Sequence, residues 1–474
     1  MDRRFCMSIP AHVTHVMAVL RENGYQTLLV GGCVRDALLR QSPSDWDVIT
    51  DAVPEQIQQL FAKTVAVGAA FGTVVVCTPQ PVEVTTFRKD VAYHDRRRPC
   101  RVLFTESVQE DLARRDFTMN AIAWDPISAQ LIDPYAGEAD LQQKLIRTVG
   151  DAHTRFSEDA LRLLRAVRFA CQLDLDMESD TWAAAEGAAH LVECLSKERV
   201  RDELLRILAS PDPGRGLWML YELGILLRVI PELRGSERLA QGKRNAPTLL
   251  DHLIQTAAAC PDDPLLRLAG LLHDTGKLHT REVCDTGQVL FHGHEAESAR
   301  IAESTLQRLR FDAHSVTRVV SLIRHHMAHG PVTRKTIRRW LSAYDEQWVR
   351  QTMALRHADH LASGGQRAPW LNDVLCELEA VLAEEGALHP RDLCINGDDV
   401  MAILDTKPGP VVGYVLKGLF DLILDDPTLN SREALLPCVS RLAAEFVKKD
   451  AHSGQSSLGS TPSIRHTDDE EWFP

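Results

Sequence analysis

Asp45 and Asp47 stand two residues apart in SDWDVIT, at the head of an apolar run. On a strand, positions i and i+2 face the same side, so two such carboxylates can hold one or two divalent ions. Upstream, LLVGGCVRDALL places a glycine pair, Gly31 and Gly32, between a strand-like and a helix-like segment, with Arg35 close behind. Glycines in that position let backbone N–H groups approach a phosphate, and the guanidinium supplies counter-charge. Paired carboxylates beside a phosphate cradle describe metal-assisted phosphoryl or nucleotidyl transfer. VEVTTFR, residues 82–88, alternates as a strand and carries Glu83 as a third carboxylate; RRDFTMNAIAWD, residues 114–125, adds Arg115, Asp116 and Asn120.

A second constellation is rich in histidine: DHLIQT (His252), GLLHDTGK (His273, Asp274, Lys277), FHGHEAESA (His292, His294), LIRHHMAH (His325, His326) and RHADH (Asp359). An adjacent His-Asp on a helix, with a His before it and an Asp well after, brings N and O ligands to one divalent ion, and further histidines can hold a second. The order resembles that of an HD-type phosphohydrolase domain. The resemblance implies His252, His273, Asp274, His294, His325 and Asp359 as ligands of a transition metal such as Mn²⁺, Ni²⁺ or Fe²⁺. His357 and His360 flank Asp359 as alternative final ligands.

The elements that must carry these groups change character along the chain. Residues 11–150 mix short apolar runs (TLLVGG, TVVVCT, VEVTTF, NAIAWD, QLIDPY) with helical stretches such as AHVTHVMAVLREN, an α/β pattern. From Ser157 onward apolar residues recur at helical spacing between Pro and Gly breaks. QGKRNAPT reads as a linker into the His-rich block, and HSGQSSLGSTPSIRHTDDEEWFP as a disordered tail.

With 474 residues, 45% of them hydrophobic, the chain can bury several cores. The N-terminus MDRRFCMSIPAHV has no apolar core and no run approaches about 18 uncharged apolar residues, so neither a signal peptide nor a membrane span is expected, and the cytoplasm is the expected location. The 11 cysteines include no CxxC pair, which argues against a zinc ribbon or a disulfide framework. The net charge of −13 opposes non-specific polyanion binding, but it is unevenly placed. Residues 366–450 carry 8 basic and 15 acidic side chains and residues 451–474 carry 1 and 4, leaving the first 365 close to neutral with basic clusters at 96–101 and 162–168. A nucleic-acid partner stays open. No motif for dimerisation is present.

GGCVRDALL, SDWDVIT, GAAFGTVVV, VEVTTFRKD, YHDRRRP, DLARRDFTMNAIA and EDALRLLRAVRF follow, in order, the motifs of class II tRNA nucleotidyltransferases, the CCA-adding enzymes, with bacterial poly(A) polymerases as close relatives. The chain resembles that family from about residue 28 to 240. The resemblance implies an α+β fold: a polymerase-β-like nucleotidyltransferase head with a small mixed sheet, then all-helical neck, body, HD and tail domains. The expected boundaries are 12–150 for the head, 151–245 for neck and body, 246–365 for the HD domain, 366–450 for a helical tail domain and 451–474 for a disordered tail.

The resemblance further implies that Asp45 and Asp47 bind catalytic Mg²⁺, with Glu83 as third carboxylate. Gly31, Gly32 and Arg35 then meet the triphosphate, and Arg115, Asp116 and Asn120 the ribose and phosphates. Arg88 through YHDRRRP matches the loop associated with switching from C to A addition. The segment EDALRLLR matches the amino-acid template. Cytosine and adenine both present an amino donor beside a ring-nitrogen acceptor, so a carboxylate next to a guanidinium favours them over uracil and guanine. Asp159 and Arg162, at i and i+3 on one helix face, are the expected pair; the plain alternative is a helix N-capped by Ser157 with a surface ion pair. Arg165 and Arg168 continue the stripe toward triphosphate or RNA. The implied partners are tRNA, CTP and ATP, with no membrane. The expected activity is CCA addition, with a possible HD phosphatase or phosphodiesterase; poly(A) polymerase, an A-only enzyme, and an HD phosphohydrolase with an RNA-binding head are the alternatives.

Overall fold

The computed structural model describes residues 7–453 except 44, 67, 94–98, 242–245, 328–331, 367 and 385–388. Residues 454–474 of the expected tail, most of the basic loop and the centre of the linker therefore lie outside the described residues. The chain groups into two compact units, one of Met1–Met327 with Ala354–Arg367, the other of Ala328–Met353 with Ala368–Pro474. Residues 328–353, inside the span expected for the HD block, thus group with the C-terminal unit. No described helix is long and apolar enough to cross a membrane.

The first unit opens with the helix Ala11–Glu22, which buries Val13, Val16, Met17 and Leu20, an i, i+3, i+4, i+7 stripe. The strands are β1 (Thr27–Val30), β2 (Asp47–Thr50), β3 (Thr64–Val65), β4 (Thr73–Val76), β5 (Val82–Thr86), β6 (Arg88–Tyr93), β7 (Pro99–Phe104), β8 (Ala123–Asp125) and β9 (Gln130–Ile132). β6 and β7 form a separate hairpin. The others make one mixed sheet in the order β3-β4-β5-β2-β1-β8-β9. β2 and β5 run parallel, and every other neighbouring pair is antiparallel. All four residues of β1 are buried, which is why TLLV is a continuous apolar run rather than an alternating one. β5 alternates, sending Val82, Val84 and Thr86 into the protein and Glu83 and Thr85 to the other face. The parallel register sets Asp47 directly across from Glu83.

Beyond the sheet the first unit is helical. Leu161–Leu173 packs against Lys197–Leu208 and Pro213–Glu222. The contact is close: a Cβ on Gly216 would stand 2.6 Å from Ile207 Cγ2 and 2.9 Å from Cys171 Sγ. In the His-rich block, Leu249–Ala259 starts in a capping box of Thr248 and Asp251. Pro264–Leu272 starts at Asp263, whose carboxylate accepts from the N–H groups of Leu265 and Leu266. His294–Arg308, Ala313–Arg324 and the end of Glu346–Ala362 complete it.

The second unit packs Gly397–Leu404, Pro410–Asp425 and Arg432–Ser453 around Val400, Val415, Leu419, Ile423, Leu435 and Val439. Gly409 and Pro410 mark the start of the second of these helices. The last runs to Ser453, three residues into the stretch expected to be disordered tail.

Candidate active sites

A cleft of about 510 Å³ in the first unit is lined by Gly31, Gly32, Arg35, Asp45, Asp47, Arg115, Asp116, Asn120, Asp159, Arg162, Arg165 and Arg168. Glu83 instead lines an adjoining cavity of about 210 Å³, to which Asp47 also belongs. Asp47 opens β2, whereas Asp45 is exposed in the segment before it, so only one of the pair stands on the strand. Gly31 turns the chain from β1 into the helix Gly32–Leu38 with φ 73° and ψ −126°. A Cβ there would come within 3.1 Å of Arg115 Nη1 and 3.8 Å of Asp47 Oδ2, so glycine serves both the backbone angle and the close approach.

Eight arginines and five aspartates line this cleft, a surplus suited to a polyphosphate. Burial raises the Asp47 carboxyl; Arg115 opposes the shift and the like charge of Asp45 adds to it. Glu83 is raised by burial first, then by Asp47 and Asp45. Carboxylates buried beside like charge form a hard-oxygen donor set that a divalent cation relieves.

Arg35 donates from Nη1 to Asn120 Oδ1 at 2.8 Å and from Nε to Asp36 Oδ1 at 2.9 Å. Asp116, only 8% exposed, accepts on Oδ2 from Arg165 Nε at 2.8 Å, and on Oδ1 from Asn120 Nδ2 at 3.1 Å and from the Phe117 N–H at 2.8 Å. Burial pushes this carboxyl up, but the Arg165 guanidinium and the three donors override it and hold the pKa at about 2. Both Asp116 oxygens are engaged by protein, so it orients Arg165 and Asn120.

The segment EDALRLLR departs from the expected single helix. Ser157 lies inside the helix Ala152–Glu158, whose N-cap is Asp151. That helix stops at Asp159, with φ −142° and ψ 103°, and the next begins at Leu161. Asp159 and Arg162 are therefore not an i, i+3 pair on one helix. The reason is local competition: Asp159 Oδ1 accepts from the Leu161 N–H at 3.0 Å, an alternative to continuing the helix. Its Oδ2 meets Arg199 at 2.8 Å. Arg162 is buried and donates to Glu158 Oε2 at 2.8 Å, Arg155 O at 3.0 Å and Arg114 O at 3.1 Å. The two side chains nevertheless share the cleft.

The histidine cluster is almost wholly buried. His252, His273, Asp274, His294 and His326 are each at most 6% exposed. Two ligand groups share the Asp274 carboxylate: His252 with His273, and His294 with His326. Asp274 Oδ2 lies 3.3 Å from His252 Nε2 and 3.4 Å from His273 Nε2; Oδ1 lies 3.2 Å from His294 Nε2 and 3.6 Å from His326 Nε2. Asp359 Oδ1 approaches His252 Nε2 to 3.1 Å, and Lys277 contacts Asp274.

Backbone carbonyls fix three of the rings: Nδ1 of His273 faces Gly270 O at 2.8 Å, that of His294 faces Phe291 O at 2.7 Å, and that of His326 faces Ile323 O at 2.6 Å. Facing a carbonyl, each Nδ1 carries the proton, so in the neutral ring the Nε2 lone pair points at the carboxylate. Asp274 Oδ1, His294 Nε2 and His326 Nε2 are buried without a hydrogen-bond partner. Lone pairs converging on a buried carboxylate fit a cation, and the mixed N/O set suits a transition metal.

The group about Asp274 takes in His326, where His325 was the expected ligand. The helix Ala313–Arg324 ends just before both, and His325 Nδ1 turns back to Ser321 O at 2.8 Å. His326 continues the face of Leu322 and Ile323, both fully buried, and so enters the cluster.

Residues 27–147 match the poly A polymerase head domain, residues 174–235 the probable RNA and SrmB-binding site of polymerase A, and residues 250–364 the HD domain. A CCA-adding enzyme of Streptococcus gordonii is 33% identical over 422 residues, covering 89% of this chain and 94% of the relative. The chain belongs to the CCA-adding enzyme family. The family's nucleotidyltransferases are generally metal-dependent, and separately the histidine region holds two groups of potential metal ligands that share Asp274. CCA-adding enzymes of Geobacillus sp. (strain WCH70) and Geobacillus thermodenitrificans are 44% and 46% identical over 48% and 44% of this chain. There the match spans about half of the curated relatives' own length, 56% and 52%. Among solved structures, the Bacillus stearothermophilus CCA-adding enzyme in complex with CTP aligns with TM-score 0.70 at 28% identity, over 95% of this chain and 100% of that one. The Thermotoga maritima CCA-adding enzyme complexed with tRNA, at 17% identity and TM-score 0.57 over 93% of this chain and 98% of that one, shares the fold.

Several residues that brace the cleft arginines and Asp159 escaped the sequence reading. Glu158 holds Arg162, and its i, i+4 spacing was a usable signal. Arg199, which holds Asp159, and Glu203, which meets Arg168 at 2.8 Å, come from a helix some forty residues on and carry no local mark.

Proposed function

We propose that this family member is a tRNA nucleotidyltransferase that builds or repairs the 3′-terminal CCA of tRNA from CTP and ATP. The observation that carries the reading is the larger cleft, where the acidic pair Asp45 and Asp47, the Gly31–Gly32 turn and the Asp159–Arg162 pair line one space. The full-length relative and the CTP-bound structure are named for the same activity. The cytoplasm, where tRNA is processed, is the proposed location.

In the reaction proposed, the RNA 3′-hydroxyl attacks the α-phosphorus in line, a phosphodiester bond forms, and the bond to pyrophosphate breaks. Asp45, Asp47 and Glu83 would hold Mg²⁺, which supplies charge neutralisation and an acidified hydroxyl. Arg35, Arg165 and Arg168 meet the triphosphate, and the backbone at Gly31 and Gly32 lets it approach closely. Asn120, held between Arg35 and Asp116, would meet the ribose. Asp159 accepts from the exocyclic amino group of C or A, and Arg162, braced by Glu158, faces the ring nitrogen. A wrong base leaves a carboxylate against a carbonyl, and a buried unpaired polar group costs about 1–3 kcal/mol.

The HD cluster is proposed as a separate phosphohydrolase centre acting on phosphate at damaged RNA 3′ ends, with Mn²⁺, Ni²⁺ or Fe²⁺ held by His252, His273, Asp274, His294, His326 and Asp359. Its buried ligand set supports that reading. The domain boundaries at 12–150, 151–245, 246–365 and 366–450 remain the proposed functional division.

The test is incorporation of labelled CTP alone, ATP alone and both, with Mg²⁺, on tRNA transcripts ending at the discriminator base, after C and after CC. Two C and then one A are expected. ATP use on the CC-ended transcript alone would make the protein an A-adding specialist, and long A tracts on any RNA would make it a poly(A) polymerase.

A further inference from the structure

We infer that Phe169 is a positioning residue that spaces the guanidiniums which take the nucleotide's triphosphate; this rests on the nucleotidyl-transfer reading above. Three arginines surround its ring. The guanidinium carbons of Arg168, Arg35 and Arg165 lie 4.3, 5.1 and 5.3 Å from the ring centroid. All are within the roughly 6 Å over which the negative face of an aromatic ring attracts a cation.

The three arginines come from different places. Arg35 belongs to the helix after the glycine turn, while Arg165 and Arg168 belong to Leu161–Leu173. Each has its own carboxylate: Asp36 for Arg35 at 2.7 Å, Asp116 for Arg165 at 2.5 Å, Glu203 for Arg168 at 2.8 Å. Those acids sit on three separate elements, and each holds its own arginine alone. The ring is the group common to all three.

Phe169 is itself fixed. It is 5% exposed, and the fully buried Phe117 meets it edge-on, with centroids 5.9 Å apart and planes at 85°. Phe117 follows Asp116 directly, so one short stretch anchors both Arg165 and the ring. Crowding of like charge is the opposing force: Arg168 is pushed down to about 10 by burial, with Glu203 working against the shift and Arg165 and Arg206 adding to it. A leucine could fill the space but has no negative face to hold converging cations. With the ring present, the arginines are arranged before the triphosphate arrives, and binding does not have to order them.

The test replaces Phe169 in the full chain by phenylalanines bearing one, two and three ring fluorines, which keep the shape while draining the negative face. Equilibrium Kd for CTP and for ATP is measured, together with kcat, KM and the melting temperature, with Phe169→Trp and Phe169→Leu as companions. Both Kd values are expected to rise stepwise, on the order of three- to tenfold by the third fluorine. KM is expected to move more than kcat, Trp to retain binding, and the choice of C or A to stay unchanged. A flat Kd across the fluorinated series overturns the inference, as does a rise for one nucleotide alone, which would mark a base contact. If Phe169→Leu fails to fold, the fluorinated series still decides. Failure of the unaltered chain to extend tRNA at all would instead overturn the nucleotidyl-transfer reading.

Discussion

Replacing His326 by alanine removes one of three side chains, with Asp274 and His294, that form one ligand group of the histidine cluster. Loss of a residue that only orients a metal ligand weakens binding by about 10–100-fold, and loss of a direct ligand belongs at the upper end or beyond. An ion present at about one hundred times its Kd stabilises the folded chain by about 2.7 kcal/mol; weakened a hundredfold, it contributes about 0.4 kcal/mol. His326→Ala is therefore expected to lose about 2 kcal/mol of metal-dependent stability, while His325→Ala, whose ring turns back to Ser321, keeps it. The assay is urea denaturation of each full-length variant with and without Mn²⁺, alongside metal content by mass spectrometry. Retained metal stabilisation in His326→Ala, with loss in His325→Ala, would refute the assignment and the lone-pair argument behind it.

Asp45→Ala is expected to abolish CTP and ATP incorporation while sparing metal-dependent phosphohydrolysis at the HD cluster; loss of both activities would defeat the idea of two independent centres. The Asp116 carboxyl sits at about 2 when folded against an ordinary 3.8, so its contribution is present above 3.8 and is lost as pH falls toward 2. Asp116→Asn should cost about 2 kcal/mol at neutral pH, with the gap to the unaltered chain closing over that acid range. Denaturation curves showing a pH-independent gap would contradict the ion-pair explanation. Arg162→Ala should relax the choice of C or A over U or G by on the order of tenfold or more, and Glu158→Gln should move it the same way by less. Unchanged misincorporation in Arg162→Ala would remove it from the template.

What could be read from the sequence divides by the range of the forces involved. TLLV, TVVV and VEVTT announce their strands because side-chain alternation and continuous burial are local properties. The glycine turn and the burial of the His-Asp dyad were legible from local spacing, whereas the i, i+2 reading of the acidic pair held only for Asp47, since Asp45 precedes the strand though it lines the same cleft. The break at Asp159 was not, since one side-chain hydrogen bond to the Leu161 N–H decides it against a strong helical pattern. The choice between His325 and His326 depended on where a helix ends, the least legible feature of any element. Arg199 and Glu203 became visible only when a distant helix folded over the cleft.

The order of assembly has a consequence for the growing chain on the ribosome. The sheet can pair once β9 has emerged, but Arg165 and Phe169 follow it, and Glu203 stands about 150 residues after Asp47. At roughly 5–20 residues per second, about 8–30 seconds separate synthesis of the acidic pair from that of the last acid that braces the arginines. During that interval a nascent chain holds its carboxylates without a finished phosphate cradle. On the proposed reading, a chain that terminates before Glu203 is thus expected to pair its sheet and still lack the braced arginines that RNA extension requires.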